Sequence, residues 1–383
     1  WSPTAGTTRA RVLRKLGLAA GPLAFLALAN APIELEGPAR LTAAVSLLMA
    51  VWWLTEAVPV AVTALVPLVL LPVLGVISAA EISAPYANKT NMLFLGGLVI
   101  ATAIERLDLH RRIALNIVLR IGGTPAGLVL GFMVGTAAIS IWISNSATTM
   151  MMLPIALAVS AQFKHNDPEL GQALAPVLLL AVAYSATIGG LGTIVGTPPN
   201  AVFAGSFSQL FPDAEAIGFF QWMMVGVPVV AIMIPLAWVY LVYLASPVGK
   251  MGTTVDTGLI RDELESLGAM SVPEKRVLAM FGLTALLWMF RRNLELGSLT
   301  VPGWSAILPE PGLVGDSTVA IAMAVALFIV PAGGGRDARL LNWETAVGLP
   351  WGVIILLGGG FALAEAIRVS GLAAWLGGEM SWV

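Results

Sequence analysis

Long apolar runs near residues 14–33, 41–57, 59–77, 92–108, 173–207, 219–245, 274–290, 316–331 and 349–370 constrain this chain more than any single motif. About 20 apolar residues in a helix cross the hydrocarbon core of a bilayer. Lipid offers backbone groups no hydrogen bonds, so such runs must satisfy themselves as helices. Only 11% of the residues are charged, against roughly 25% in a soluble domain. The pattern predicts an all-α polytopic membrane protein. Pro59, Pro198, Pro199 and Pro350 fall at the ends or breaks of these runs, where a missing N–H costs least.

Several function classes drop out at once. The net charge of −2 supplies no basic face for nucleic acid. There is no cysteine, so disulfides, thiolate metal sites and cysteine nucleophiles are excluded. His110 and His165 stand far apart among charged residues and read as loop residues rather than ligands. No His-Glu-x-x-His or Gly-x-Ser-x-Gly occurs, so an enzyme is not expected. Arg9, Arg11, Arg14 and Lys15 precede an apolar run without a clear cleavage site, so residues 1–40 read as a cytoplasmic segment and a first transmembrane helix. The chain begins at Trp1 and stops at Val383 just after a glycine-rich apolar segment, which reads as a C-terminally truncated fragment.

Within the apolar background, Ile139 to Pro154 (ISIWISNSATTMMMLP) is unusually polar. Its flanking arms, 126–143 and 150–161, are short or marginal for a full crossing. A re-entrant hairpin at 126–161 is expected, with its tip at mid-membrane and its broken backbone surrounded by protein or a water-filled cavity. The alternative is that Ser144, Ser146, Thr148 and Thr149 bond back to helix carbonyls in an ordinary span. Counting basic residues favours the hairpin. With the N-terminus cytoplasmic, Arg40, Lys89, Arg291, Arg292 and Arg368 fall outside and the other fifteen of the twenty inside, following the positive-inside rule for an inner (plasma) membrane protein.

A second interruption, Ser185 to Asn200 (SATIGGLGTIVGTPPN), breaks the run 173–207. Unwound carbonyls, hydroxyls and an amide are oxygens suited to a hard monovalent cation, and no Gly-Lys-Ser/Thr follows to make a phosphate loop. A kinked packing helix is the other reading. The pattern of Trp52-Trp53, Ala61–Gly75, Gly96-Gly97 and Arg106 recurs as Trp288, Thr318–Ala332, Gly358-Gly359 and Arg368. The two copies start on opposite sides, the inverted-repeat plan of secondary transporters. Residues 41–250 form the first repeat and 251–383 a partial second one lacking its hairpin and broken helix. Among charges near the spans, Glu56 is expected at the inner interface, Glu105 with Arg106 and Glu365 with Arg368 near span ends, and Asp316 as a helix N-cap.

The motifs ISNSATTMMMLPI and TIGGLGTIVGTPPN, with VWWLTEAVPVAVTALVPLVLLPVLGV and LNWETAVGLPWGVIILLGGGFALAEAIRVSGLA in the same order, resemble the divalent anion:sodium symporter family of dicarboxylate, citrate and sulfate carriers. The resemblance implies an ion-transporter fold with re-entrant hairpins and broken helices, an elevator-type mechanism and a homodimer. It implies sodium ligands at Ser140, Ser144, Asn145 and Gly196, and substrate carboxylate contacts at Asn145, Ser146, Thr197 and Pro198. Ser146 departs from the family's Ser-Asn-Thr signature, keeping the hydroxyl and losing the methyl. The expected function is sodium-coupled transport of di- or tricarboxylates such as succinate, malate or fumarate. A sodium-independent exchanger or a sulfate carrier of the same fold is the alternative.

Overall fold

The computed structural model describes residues 8–211, 213–251, 254–255, 257–296, 299–333 and 338–380. Helix α1 (Thr8–Ala29) leads to α2 (Gly37–Thr55), which ends where Glu56 turns into the left-handed region at φ 47°. The run expected as one span at 59–77 is two short helices, α3 (Val60–Thr63) and α4 (Val66–Val73). Pro67 has no N–H to give the Thr63 carbonyl, so the first helix cannot continue through it. A capping box between Ser78 and Glu81 opens α5 (Ala79–Ser83), and a short 3₁₀ turn leads into α6 (Lys89–Arg106).

Next come α7 (Leu109–Ile121), α8 (Pro125–Ser140), α9 (Asn145–Asn166), α10 (Pro168–Gly190) and α11 (Pro198–Leu210). Helix α12 (Phe219–Val239) runs on through a π-helical turn at Tyr240–Leu244. After α13 (Gly258–Ser266) and α14 (Val272–Met289), a two-stranded antiparallel ribbon, β1 (Leu294–Leu296) with β2 (Leu299–Val301), interrupts the otherwise helical chain. The chain then forms α15 (Asp316–Ile329), α16 (Trp343–Val347), α17 (Trp351–Val369) and α18 (Leu372–Met380). Seven helices among the described residues are long and apolar enough to cross a membrane.

The residues divide into two compact units. One comprises Trp1–Asn91, Gly205–Glu215 and Pro350–Val383, the other Met92–Ala204 and Ala216–Leu349. The first is centred on Val45, Leu48, Met49, Leu71, Ile82 and Ala362. Arg14 reaches Glu56 at 2.9 Å, and Arg368 pairs with Glu365. In the second unit α8 and α9 both pack along α10 and α7 lies against α8, burying Phe132, Met133, Met152 and Leu174 completely.

The paired glycines of α6 and α17 are used in matching ways. In the second unit, a Cβ on Gly96 would fall 2.6–2.8 Å from atoms of Ala320 on α15. In the first unit, Gly359 leaves no more room against Ala64, between α3 and α4. In each case one glycine of the pair lets its helix backbone come against the backbone of another segment, closer than a side chain would permit.

Two expectations are corrected here. Asp316 is the first residue of its helix rather than the cap, and its carboxylate is engaged elsewhere: it accepts from Arg291 Nε at 2.5 Å and from the Phe219 N–H at 2.8 Å. Arg291, in the loop that follows α14, is only 7% exposed, because that carboxylate and the Val314 carbonyl satisfy it there. His110 is likewise a buried residue of α7 rather than a loop residue. Burial pushes its pKa below the ordinary histidine range.

Candidate functional site

Helix α8 stops at Ser140, the chain turns through Ile141–Ile143, and Ser144 opens α9 by accepting from the Ala147 N–H at 3.3 Å. That cap starts the second arm at Asn145, inside the polar signature, whereas an arm beginning near 150 was expected. It also makes α9 22 residues long, within the range that crosses a membrane by length and composition. Helix α8, with 16 residues, is not. The tip is held by aromatic packing. Trp142 stacks on Phe219 at 5.8 Å and meets the Phe281 edge at 4.7 Å, and Phe219 stacks on Trp288 at 4.1 Å.

Ser140 Oγ is fully buried, 2.8 Å from Asn145 Oδ1 and 2.6 Å from the Ala186 carbonyl oxygen. A hydroxyl carries one proton. Three oxygens therefore meet with a single hydrogen among them, an arrangement that favours a cation. The second interruption lies against this cluster. Helix α10 ends at Gly190, where an added Cβ would meet the Asn145 amide and displace it. A Cβ on Gly196 would lie 2.6 Å from the Gly190 carbonyl, 2.9 Å from that of Ile141 and 3.1 Å from that of Ser140. Carbonyl, amide and hydroxyl oxygens thus crowd one small region, the donor set a sodium ion accepts. The residues present fit that ion.

Of the residues expected to hold sodium, Ser140, Asn145 and Gly196 come together here, and Ser144 caps the adjoining helix. Of those expected to meet substrate, Asn145 is shared with the cluster, Ser146 follows it and is exposed, and Thr197 and Pro198 are half-buried where α11 begins. Among the described residues the hydroxyls of Ser146 and Thr197 have no protein hydrogen-bond partner. Helix α9 presents the N–H groups of its first turn, a place that favours negative charge. Helix α11 contributes less in this way, because Pro198 and Pro199 remove two of its first donors.

Sequence reasoning missed the residues that fix the break. Thr193 Oγ1 donates to the Ile141 carbonyl at 2.6 Å and accepts from the Gly196 N–H at 3.1 Å. Asn200 Nδ2 donates to the carbonyls of Gly190 at 2.8 Å and Thr193 at 2.7 Å, and Trp222 Nε1 to that of Leu191 at 2.9 Å. A signal existed for Asn200: an amide in the first turn of a helix that already begins with Pro-Pro has little capping to do. The side chains that converge on the tip are all uncharged, and among the described residues no group of three or more His, Cys, Asp or Glu could hold a metal ion.

Residues 50–383 match the model of the family described as citrate transporter. The sodium-dependent dicarboxylate transporter SdcS of Staphylococcus saprophyticus is 40% identical over 376 residues, covering 96% of this chain and 70% of that protein. The protein of the same name from Staphylococcus aureus is 40% identical over 373 residues, covering 95% of this chain and 69% of its own length.

Proposed function

The chain belongs to the citrate transporter family, and from that premise we propose that it is a sodium-coupled carrier of dicarboxylates, a transporter and not an enzyme. The observation that carries the reading is the oxygen cluster of Ser140, Asn145 and Ala186, together with the hydroxyls of Ser146 and Thr197, which have no hydrogen-bond partner among the described residues.

The physics of coupling follows from the missing cations. A carboxylate at a helix N-terminus gains a few tenths to ~2 kcal/mol, too little to replace the hydration of a dianion. A sodium ion ~5 Å from a carboxylate contributes about 3 kcal/mol at an effective dielectric constant of ~20, roughly a hundredfold in affinity. Sodium held by Ser140, Ser144, Asn145 and Gly196 completes the site electrostatically, and Asn145, Ser146, Thr197 and Pro198 receive the anion. A sodium-independent exchanger would need a fixed cationic side chain in that place, and those at the tip are neutral.

The residues of the cluster all belong to one compact unit, which supports an elevator-type step in which the site is carried as a body. The short α8 supports a re-entrant hairpin at 126–161. The matched glycine packing of α6 and α17 supports two inverted repeats, 41–250 and 251–383, after an N-terminal segment of residues 1–40. The basic-residue count supports a plasma-membrane protein with a cytoplasmic N-terminus. The homodimer rests on the family resemblance and is tested by cross-linking in membranes.

The test of function is uptake of labelled succinate into proteoliposomes. An inward sodium gradient is expected to drive accumulation, and replacing sodium with choline to reduce it to background. Equal accumulation without sodium would sink the symport reading.

A further inference from the structure

Three guanidinium groups bond to the loop after α15, and among the described residues no carboxylate pairs with them. The loop folds back on itself: Leu340 N–H donates to the Val330 carbonyl and Ala332 N–H to that of Ala338. Arg106, the last residue of α6, donates to the Leu340 carbonyl at 3.4 Å. From α14, Arg276 donates to the Pro331 carbonyl at 2.6 Å, and Arg339 donates to that of Ile329 at 3.0 Å. Each guanidinium carries five N–H donors, so one such bond leaves most of them free. Among the described residues none of the three pairs with an acid. The adjacent acids in sequence, Glu105 and Glu344, do not line the neighbouring cavity, and Asp337 lies outside the described residues.

That cavity, of ≈ 400 Å³, has two characters. Arg106 and Arg339 line it together with the apolar Leu107, Pro273, Phe328 and Trp343, and Trp343 is 64% exposed. Exposed tryptophan is favoured at the membrane–water boundary, and unpaired arginines beside apolar surface at that depth suit an anion with an apolar tail. Arginine's planar fork binds phosphate oxygens in pairs.

We propose that this cavity is a binding site for the headgroup phosphate of an anionic phospholipid, with Arg106 and Arg339 as its ligands, Arg276 adding charge from behind the loop, and Trp343 and Phe328 against the glycerol and first acyl carbons. Basic pockets between membrane helices take such headgroups in general. The site stands apart from the sodium cluster and is independent of what the carrier transports.

The full chain in neutral detergent is titrated with phosphatidylglycerol, phosphatidylcholine or inorganic phosphate, reading the melting midpoint and lipid retained in native mass spectrometry. Phosphatidylglycerol is expected to raise the midpoint and stay bound, the other two to do neither. Arg106→Gln with Arg339→Gln is expected to weaken phosphatidylglycerol binding by roughly tenfold or more without lowering the midpoint of lipid-free protein. Unaltered lipid affinity in that variant overturns the site. An equal shift with inorganic phosphate overturns the lipid assignment in favour of a soluble anion. Should the double variant fail to fold, Trp343→Ala decides: it is expected to weaken phosphatidylglycerol binding, and unchanged affinity would overturn the proposal.

Discussion

The hairpin tip and the break between α10 and α11 look alike in sequence, each a polar interruption of an apolar run. They differ in how their polar groups are spent. The break is buried from Gly192 to Gly196, and Thr193, Asn200 and Trp222 tie its backbone to itself and to the tip. The tip leaves Ser146 exposed and Asn145 half-buried. An internal hydrogen bond fixes shape, and a polar group without one is available to a ligand. The buried part of the break therefore serves chiefly as framework, and on the proposed function the tip, with Gly196 and Thr197 at the end of the break, is where ion and anion are met.

The sharpest separation comes from Asn200→Ala. It strips two buried carbonyls of their donor, at about 1–3 kcal/mol each, so a fall of the melting midpoint and of folded yield is expected. Transport per folded molecule is expected to survive. A variant as stable as the parent but unable to take up succinate would erase the distinction drawn here.

Gly196→Ala comes next. Its Cβ would press on three backbone carbonyls, which cannot swing aside as a side chain can, at about 1–3 kcal/mol of overpacking. Because those carbonyls include that of Ser140, a weaker apparent sodium affinity should accompany the lower midpoint. A loss of stability with sodium affinity intact would detach Gly196 from the ion.

Both breaks were legible in the sequence, because Gly189-Gly190 and Pro198-Pro199 bracket one and a run of hydroxyls and an amide marks the other. The roles within them were not. Ser140 meets Ala186 across 46 positions, and Thr193 meets Ile141 across 52, pairings that no local periodicity encodes. The same reason hid the Arg291–Asp316 pair: two charges near the ends of apolar runs read as boundary residues until tertiary packing brings them together. The division into α3 and α4 was within reach, since Pro67 stands inside the run expected as a single span.

At the tip the expectation reverses. Asn145→Ala removes one neighbour of Ser140 Oγ, which keeps the Ala186 carbonyl, so the stability cost stays near 0.5–1.5 kcal/mol. Uptake should suffer far more. Hydrogen bonds to charged groups are worth about 1.5–3 kcal/mol, which corresponds to roughly 10- to 150-fold in affinity. Sodium and succinate titrations in proteoliposomes measure it, and a melting curve on the same sample shows whether the fold is kept. A collapse in stability equal to that of Asn200→Ala would make the tip framework as well.

The smallest effect separates hydroxyl from shape. Ser146→Thr keeps the oxygen and restores the methyl of the family signature at an exposed position, where substitutions usually change stability by less than about 0.5 kcal/mol. If the hydroxyl is what the anion meets, succinate uptake should remain within about fivefold, the equivalent of ~1 kcal/mol. The added methyl then shows itself only in competition, by changing the relative inhibition by malate, fumarate and citrate. Ser146→Ala is the control, because it deletes the oxygen while leaving the space. Loss of uptake in the alanine variant alone assigns the residue to the substrate through its oxygen. Equal losses in both would mean that the tip tolerates no change of shape, and its exposed residue would then belong with the break.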